Sequence, residues 1–260
     1  MQWSDAVKEY THDLHSIKTD SGLLGKIYHL LDLTSLNETD TEASIAAFCE
    51  KAHSSLGHVA AVCVYPSFVR LVAAEFADTQ VKVATVVNFP GGDQTLDTVL
   101  IEIGRALQDG AQEIDVVFPY HRYLAGERHY AQTFVEACKA ACGQEVALKV
   151  ILETGALLDT AIIADAAFDA LTAGADFIKT STGKITQGAT LEAAATMLLV
   201  IRHIGSPFHG LKVSGGIRDI QQAAQYIELA DRIMGNEWVN PSHFRIGASR
   251  LADELIQSVR

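Results

Sequence analysis

Short runs rich in Val and Ile alternate along this chain with longer stretches in which apolar residues return every three or four positions. The runs are "IYHLLDLT" (27–34), "HVAAVCVY" (58–65), "VKVATVVNF" (81–89), "EIDVVF" (113–118), "VALKVILET" (146–154), "DFIKTS" (176–181), "LKVSGG" (211–216) and "FRIGAS" (244–249). Their length and β-branched content predict eight strands, with room for a helix between most neighbours. "TLDTVLIEIGRALQDG" typifies the helices: Leu96, Val99, Leu100, Ile103 and Leu107 share one face, and Gly110 ends the pattern. Asp40, Ser67 and Asp159 are predicted to cap three others at their N-termini. "DGAQEIDVVF" and "AGADFIKTS" repeat one device, a Gly-Ala stop two residues before a strand, as a helix C-terminus feeding a parallel strand would.

Eight βα units in about 250 residues are the content of a (β/α)8 TIM barrel, an α/β fold. An open doubly wound sheet usually has fewer strands, and no GxGxxG fingerprint follows the first run. The expectation is one domain over residues 1–260. Residues 1–25 form its helical extension, with one extra helix over residues 3–20.

In a barrel both faces of each strand are covered, so polar exceptions to the alternation carry the information. Ile114, Val116 and Phe118 fit the face under the helices, which turns Asp115 inward. By the same rule Lys149 and Glu153 point inward on the fifth strand, Lys179 on the sixth and Lys212 on the seventh. Asp32 and Thr34 do so on the first, and Cys63 on the second. Four consecutive strands thus each offer an inward charge, three of them lysines. One Lys–Asp pair could simply fix a core, but a buried ion pair contributes little stability. Three lysines around an aspartate point to chemistry.

Composition changes this picture little. The chain has a formal net charge of −12, and no basic stripe marks it as a nucleic-acid binder. Lysines inside a cleft can still attract an anion. No run of about 18 apolar residues predicts a membrane span. The N-terminal "MQWSDAVKEYTHDLHSIK" is polar and amphipathic, unlike a secretory signal. Four cysteines in a chain of this size are expected as reduced thiols in the cytoplasm, Cys138 and Cys142 on one helix face. A homodimer would need an apolar patch on a barrel helix, which periodicity alone does not locate.

A lysine amine attacks a carbonyl only when it is neutral, and nearby positive charge and burial both favour that form. The resulting protonated imine draws electrons from an adjacent carbanion. Lys179 is the expected nucleophile, Lys212 the cation that keeps it partly neutral, and Asp115 the group that moves protons through water. Thr182 is expected to bond substrate oxygens. Lys184 is expected to meet substrate or Asp115, or else to be an exposed loop lysine. Asp32 and Cys63, inward on the first two strands, are further candidates for substrate contact. "SGGI" (214–217) and "IGAS" (246–249) follow the seventh strand and end the eighth, where barrels frequently bind phosphate.

The chain resembles the deoxyribose-phosphate aldolases, Schiff-base aldolases with a TIM-barrel fold. The resemblance runs from about Leu30 to the last helix and rests on "LDLTSLN", "VCVYP", "NFPGGD", "EIDVVFPY", "LKVILETG", "GADFIKTSTG", "LKVSGGIR" and "RIGAS" in that order. It implies Lys179 as the Schiff-base lysine, Lys212 as the second lysine and Asp115 as the proton-relay aspartate. It also implies phosphate contacts at Gly215, Gly216, Gly247 and Ser249. The implied reaction is reversible cleavage of 2-deoxy-D-ribose 5-phosphate to D-glyceraldehyde 3-phosphate and acetaldehyde, with no metal or organic cofactor. Two departures bear on phosphate affinity and rate. Arg250 stands where some relatives have a second serine, and little chain follows the last helix.

The alternatives are a Schiff-base sugar-phosphate aldolase with another donor, such as dihydroxyacetone, and a non-catalytic sugar-phosphate-binding barrel. A metal enzyme fits poorly. The ten histidines include no HxxxH pair on a helix. His12 and His15 are three apart in the polar N-terminal helix, with no third ligand evident beside them, and read as surface residues.

Overall fold

The computed structural model describes residues 3–14 and 17–259. Eight parallel strands close into a barrel in sequential order: β1 (Leu31–Ser35), β2 (Ala61–Val64), β3 (Lys82–Val87), β4 (Glu113–Val117), β5 (Ala147–Ile151), β6 (Phe177–Lys179), β7 (Gly210–Ser214) and β8 (Phe244–Ala248), which pairs back to β1. Each strand is followed by a helix on the outside, ending with Leu251–Ser258 after β8. The expected TIM barrel is therefore observed.

The helices form for local reasons that also aim the strands. Leu96–Gln108 buries Val99, Ile103 and Ala106 against the barrel wall. It ends where Gly110, at φ +103°, reverses the chain. The Gly110 N–H then reaches Leu107 O and the Ala111 N–H reaches Ala106 O. Gly174 and Ala175 repeat the arrangement on Leu171 and Ala170 after the helix Thr160–Thr172. Only a residue at ease with positive φ makes this stop cheaply. The next N–H groups, of Gln112 and Asp176, bond straight into the sheet at Val83 O and Leu148 O. The two strands these stops launch, β4 and β6, carry Asp115 and Lys179.

Differences from expectation lie at element ends. Ile27, Tyr28 and His29 are the last turn of a helix, Ser21–His29, and β1 begins only at Leu31. Ile27 and Tyr28 are consecutive and both fully buried, so the helix end reads as a strand. The single helix expected over 3–20 is a shorter one, Trp3–Thr11; Asp20 then caps Ser21–His29 by accepting the Leu23 N–H. Trp3–Thr11 packs outside the barrel, against Thr160–Thr172, Leu191–Ile204 and Ile220–Met234. His12 is exposed beside Asp13, and His15 lies outside the described residues.

Asp159 caps its helix as expected, accepting from Ala161 and Ile162. Thr41 takes the cap position expected of Asp40, in a reciprocal bond with Ser44. Asp40 instead accepts from Ser35 Oγ and the Asn37 N–H. Ser67 lies inside a short 3-10 turn and caps nothing. All four cysteines are free and buried. No helix among the described residues is long and apolar enough to cross a membrane.

The barrel interior is divided. Near β2 and β3 it is small and apolar, with Ala61, Cys63, Ala84 and Val86 packed beside Leu36. The remaining strands fill it with charge.

Candidate active site

Asp115 is the hub. Its Oδ1 accepts from Lys149 Nζ at 2.7 Å, and its Oδ2 accepts from Lys179 Nζ at 2.8 Å and Lys212 Nζ at 2.7 Å. The register makes this geometry: Asp115 pairs with Lys149 across β4 and β5, and Lys179 with Lys212 across β6 and β7. Lys212 Nζ also lies 2.6 Å from Asp32 Oδ2, and Lys149 Nζ lies 2.8 Å from Glu113 Oε2. Arg245 closes the circuit, 2.7 Å from Asp32 Oδ1 and 2.9 Å from Glu113 Oε1. Every member is buried. Glu113 and Arg245 were missed in the sequence. The signal was there, because each lies two residues before a position already read as significant, Asp115 and Gly247.

The three lysines are not equivalent. Burial pushes each toward the neutral amine. At Lys212 the carboxylates of Asp115 and Asp32 more than offset burial and raise its pKa above the ordinary lysine value. At Lys149, Asp115 and Glu113 do the same. Among the described residues Lys179 has only Asp115 at ion-pair distance; burial, helped by the charge of Lys212, lowers its pKa. Asp115 resists burial through its three ammonium neighbours and stays well below the usual carboxylate range.

Lys179 also differs in access. It lines an open cleft of about 220 Å3 at the C-terminal ends of the strands, together with Thr34, Thr182, Lys184, Ser214, Gly215, Gly216, Gly247 and Ser249. Lys149 and Lys212 lie fully buried beneath it. Of the predicted site residues, Asp32 and Cys63 do not reach this cleft. Asp32 spends both oxygens on Lys212 and Arg245, and Cys63 sits in the apolar cluster with burial pushing its thiol pKa up. Lys184 does not meet Asp115, whose oxygens are already taken. Its Nζ donates to Leu36 O at 2.6 Å on the cleft rim. Leu36 and Asn37, from the loop after β1, also line the cleft and were not singled out in the sequence.

Two of the glycines have distinct physical reasons. Gly216, at φ +87°, has open space where a side chain would project, leaving its backbone accessible. A Cβ on Gly247 would lie 2.9 Å from Ser214 Cβ and 3.1 Å from Lys212 Cε, so this position is kept bare by the lysine below it. Arg250 is exposed and outside the cleft lining. Among the described residues no cluster of His, Cys, Asp and Glu could hold a metal ion.

Comparison with known proteins agrees with this arrangement. The profile of the DeoC/LacD family aldolases matches residues 26–236. A deoxyribose-phosphate aldolase of Agrobacterium fabrum (strain C58) is 46% identical over 228 residues, 87% of this chain and 88% of that one. A Toxoplasma gondii ME49 protein, provisionally assigned as a deoxyribose-phosphate aldolase, superposes with a TM-score of 0.82 at 28% identity, covering 92% of this chain and 95% of its own. The deoxyribose phosphate aldolase of Aeropyrum pernix, at 23% identity and a TM-score of 0.73, shares the fold over 98% of this chain and 97% of its own. With barrel, buried lysines and sequence in agreement, the chain belongs to the DeoC/LacD aldolase family.

Proposed function

We propose that this chain is a deoxyribose-phosphate aldolase, a carbon–carbon lyase that reversibly cleaves 2-deoxy-D-ribose 5-phosphate to D-glyceraldehyde 3-phosphate and acetaldehyde. The observation that carries the chemistry is that, of three buried lysines, Lys179 alone combines a lowered pKa with access to the cleft.

The neutral Lys179 amine attacks the C1 aldehyde of the open-chain sugar, and uptake of one proton from solvent with loss of water leaves a protonated imine. The 3-hydroxyl gives up its proton to water, the C2–C3 bond breaks, and its electron pair flows into the imine to form an enamine. Glyceraldehyde 3-phosphate departs. Protonation at C2 and hydrolysis release acetaldehyde and restore the amine. Lys212, held charged by Asp32 and Asp115, keeps Lys179 partly neutral. Asp115 is a poor base at its low pKa. Its role is to align the Lys179 and Lys212 nitrogens on one carboxylate oxygen and, with water, to relay the proton that Lys179 loses and regains rather than to hold it. Gly215, Gly216, Gly247 and Ser249 take the phosphate through backbone N–H and hydroxyl groups at the rim. Lys184 adds a positive charge there.

We place the activity in one domain, residues 1–260 with 1–25 as its extension, working in the cytoplasm, where its four free cysteines would stay reduced. The partners are small molecules rather than nucleic acid or membrane.

The test is incubation with acetaldehyde and borohydride, followed by peptide mapping. Label is expected on Lys179 in the natural chain. Lys179→Ala should carry no label, retain its circular dichroism and lose roughly 10^4-fold or more in turnover. Undiminished cleavage by Lys179→Ala would overturn the assignment. Labelling by dihydroxyacetone in place of acetaldehyde would point to a different donor.

A further inference from the structure

One buried charge lies outside this mechanism. Glu153, just past the end of β5, is fully buried in a left-handed conformation at φ +57°. No cation among the described residues lies within ion-pair distance of it. Its carboxylate is instead turned onto one residue. Thr182 donates its backbone N–H to Oε1 at 3.3 Å and to Oε2 at 3.4 Å, and its hydroxyl to Oε2.

A threonine hydroxyl has one proton and two lone pairs. Glu153 takes the proton, because an ionised carboxylate can only accept. The Lys184 N–H, 3.0 Å away, takes one lone pair. Thr182 lines the cleft beside Lys179, and the second lone pair is what remains for a ligand. Toward substrate, Thr182 is therefore an acceptor and never a donor.

We propose that Glu153 is a positioning residue that fixes the polarity of the Thr182 hydroxyl, so that the cleft selects substrates presenting a hydroxyl donor there. The inference rests on the reading of Lys179 as the imine-forming group. On that reading the donor is a hydroxyl of the sugar phosphate. Acetaldehyde, which has none, gains nothing from this contact. An amide at position 153 would turn the contact round. Its oxygen would accept the Thr182 N–H, its NH2 would donate to the Thr182 hydroxyl, and the hydroxyl proton would be directed at the ligand.

The experiment compares Glu153→Gln, Thr182→Val and the double variant in steady-state cleavage of 2-deoxyribose 5-phosphate, with borohydride trapping of acetaldehyde on the natural chain as a reference. Glu153→Gln is expected to raise KM about tenfold, the scale of one hydrogen bond, with a smaller change in kcat. Thr182→Val should raise KM similarly, and Thr182→Ser should restore it. The double variant should be no worse than Thr182→Val, since both act through one hydroxyl. An unchanged KM in Thr182→Val overturns the proposal, and this arm holds even if Glu153→Gln does not fold. So does a Glu153→Gln loss that adds in full to that of Thr182→Val, which a merely structural glutamate would give. If the natural chain shows no label on Lys179, the reading beneath falls first and takes this inference with it.

Discussion

Three chemically identical side chains behave differently because each meets a different number of carboxylates. Lys149 and Lys212 reach Asp115 and at least one more, whereas Lys179 reaches Asp115 alone. The charge on Lys212 is one of the causes lowering the pKa of Lys179. Lys212→Leu should therefore raise the Lys179 pKa and move the rising limb of imine trapping to higher pH; trapping rates across pH 6–10 on both proteins would check it. The same change leaves Asp32 and Asp115 short of a buried partner and should cost about 3–5 kcal/mol of stability. The inward direction of Asp115, Lys149, Lys179 and Lys212 was legible in the sequence, because alternation sets it. Lys179 was also legible there as the nucleophile; what alternation could not supply is the carboxylate count around each lysine, which depends on contacts between strands distant in the chain. Asp32 and Cys63, correctly turned inward, are kept from the cleft by their neighbours: Lys212 and Arg245 take the Asp32 oxygens, and Cys63 packs into the apolar cluster beside Leu36.

Elements set those contacts. β7 and β8 pair Lys212 with Arg245 and Ser214 with Gly247, which brings Gly247 over the lysine stem. Gly247→Ala should push against Lys212 Cε and Ser214 Cβ, shift the ammonium from Asp115, and lower kcat by on the order of 100-fold, the scale of a 1 Å misplacement. Unchanged kcat alongside a raised KM would assign Gly247 to phosphate alone. All eight strands were legible as runs, and the Gly-Ala stops marked where β4 and β6 begin. The helix Ser21–His29 was not, because two adjacent buried residues at its end look like the start of a strand. Nor was Glu153 legible as a partner of Thr182. Twenty-eight residues separate them in the chain, and a left-handed turn with no glycine to announce it sets the meeting.

At the scale of the molecule, the ion network couples acid titration to unfolding. Asp32, Asp115 and Glu113 have pKa values lowered below the ordinary 3.8 and 4.5, burial being more than offset by the cations around them. Their contribution is present above those values and is lost as pH falls through the folded ones. Glu153 has the opposite sign. Burial raises its pKa, so its contribution is present at low pH and lost as pH rises through the folded value. Three groups outweigh one, and the urea midpoint should fall steadily from about pH 4.5 downward. A midpoint flat to pH 2.5 would mean that the carboxylates are not held as the structure holds them. Exposed pairs weaken in added salt, whereas this network is closed to it and should keep its contribution.

The connected network holds four cations, Lys149, Lys179, Lys212 and Arg245, against three carboxylates, Asp32, Glu113 and Asp115. With all four cations charged and all three carboxylates ionised, it carries one unbalanced positive charge in a medium that penalises it. Electroneutrality is restored when one proton leaves, and the cation with a route to water is Lys179. The nucleophile is then a property of the whole barrel interior rather than of one side chain. Neutralising a carboxylate as remote as Glu113 would alter the reactivity of an amine it never touches.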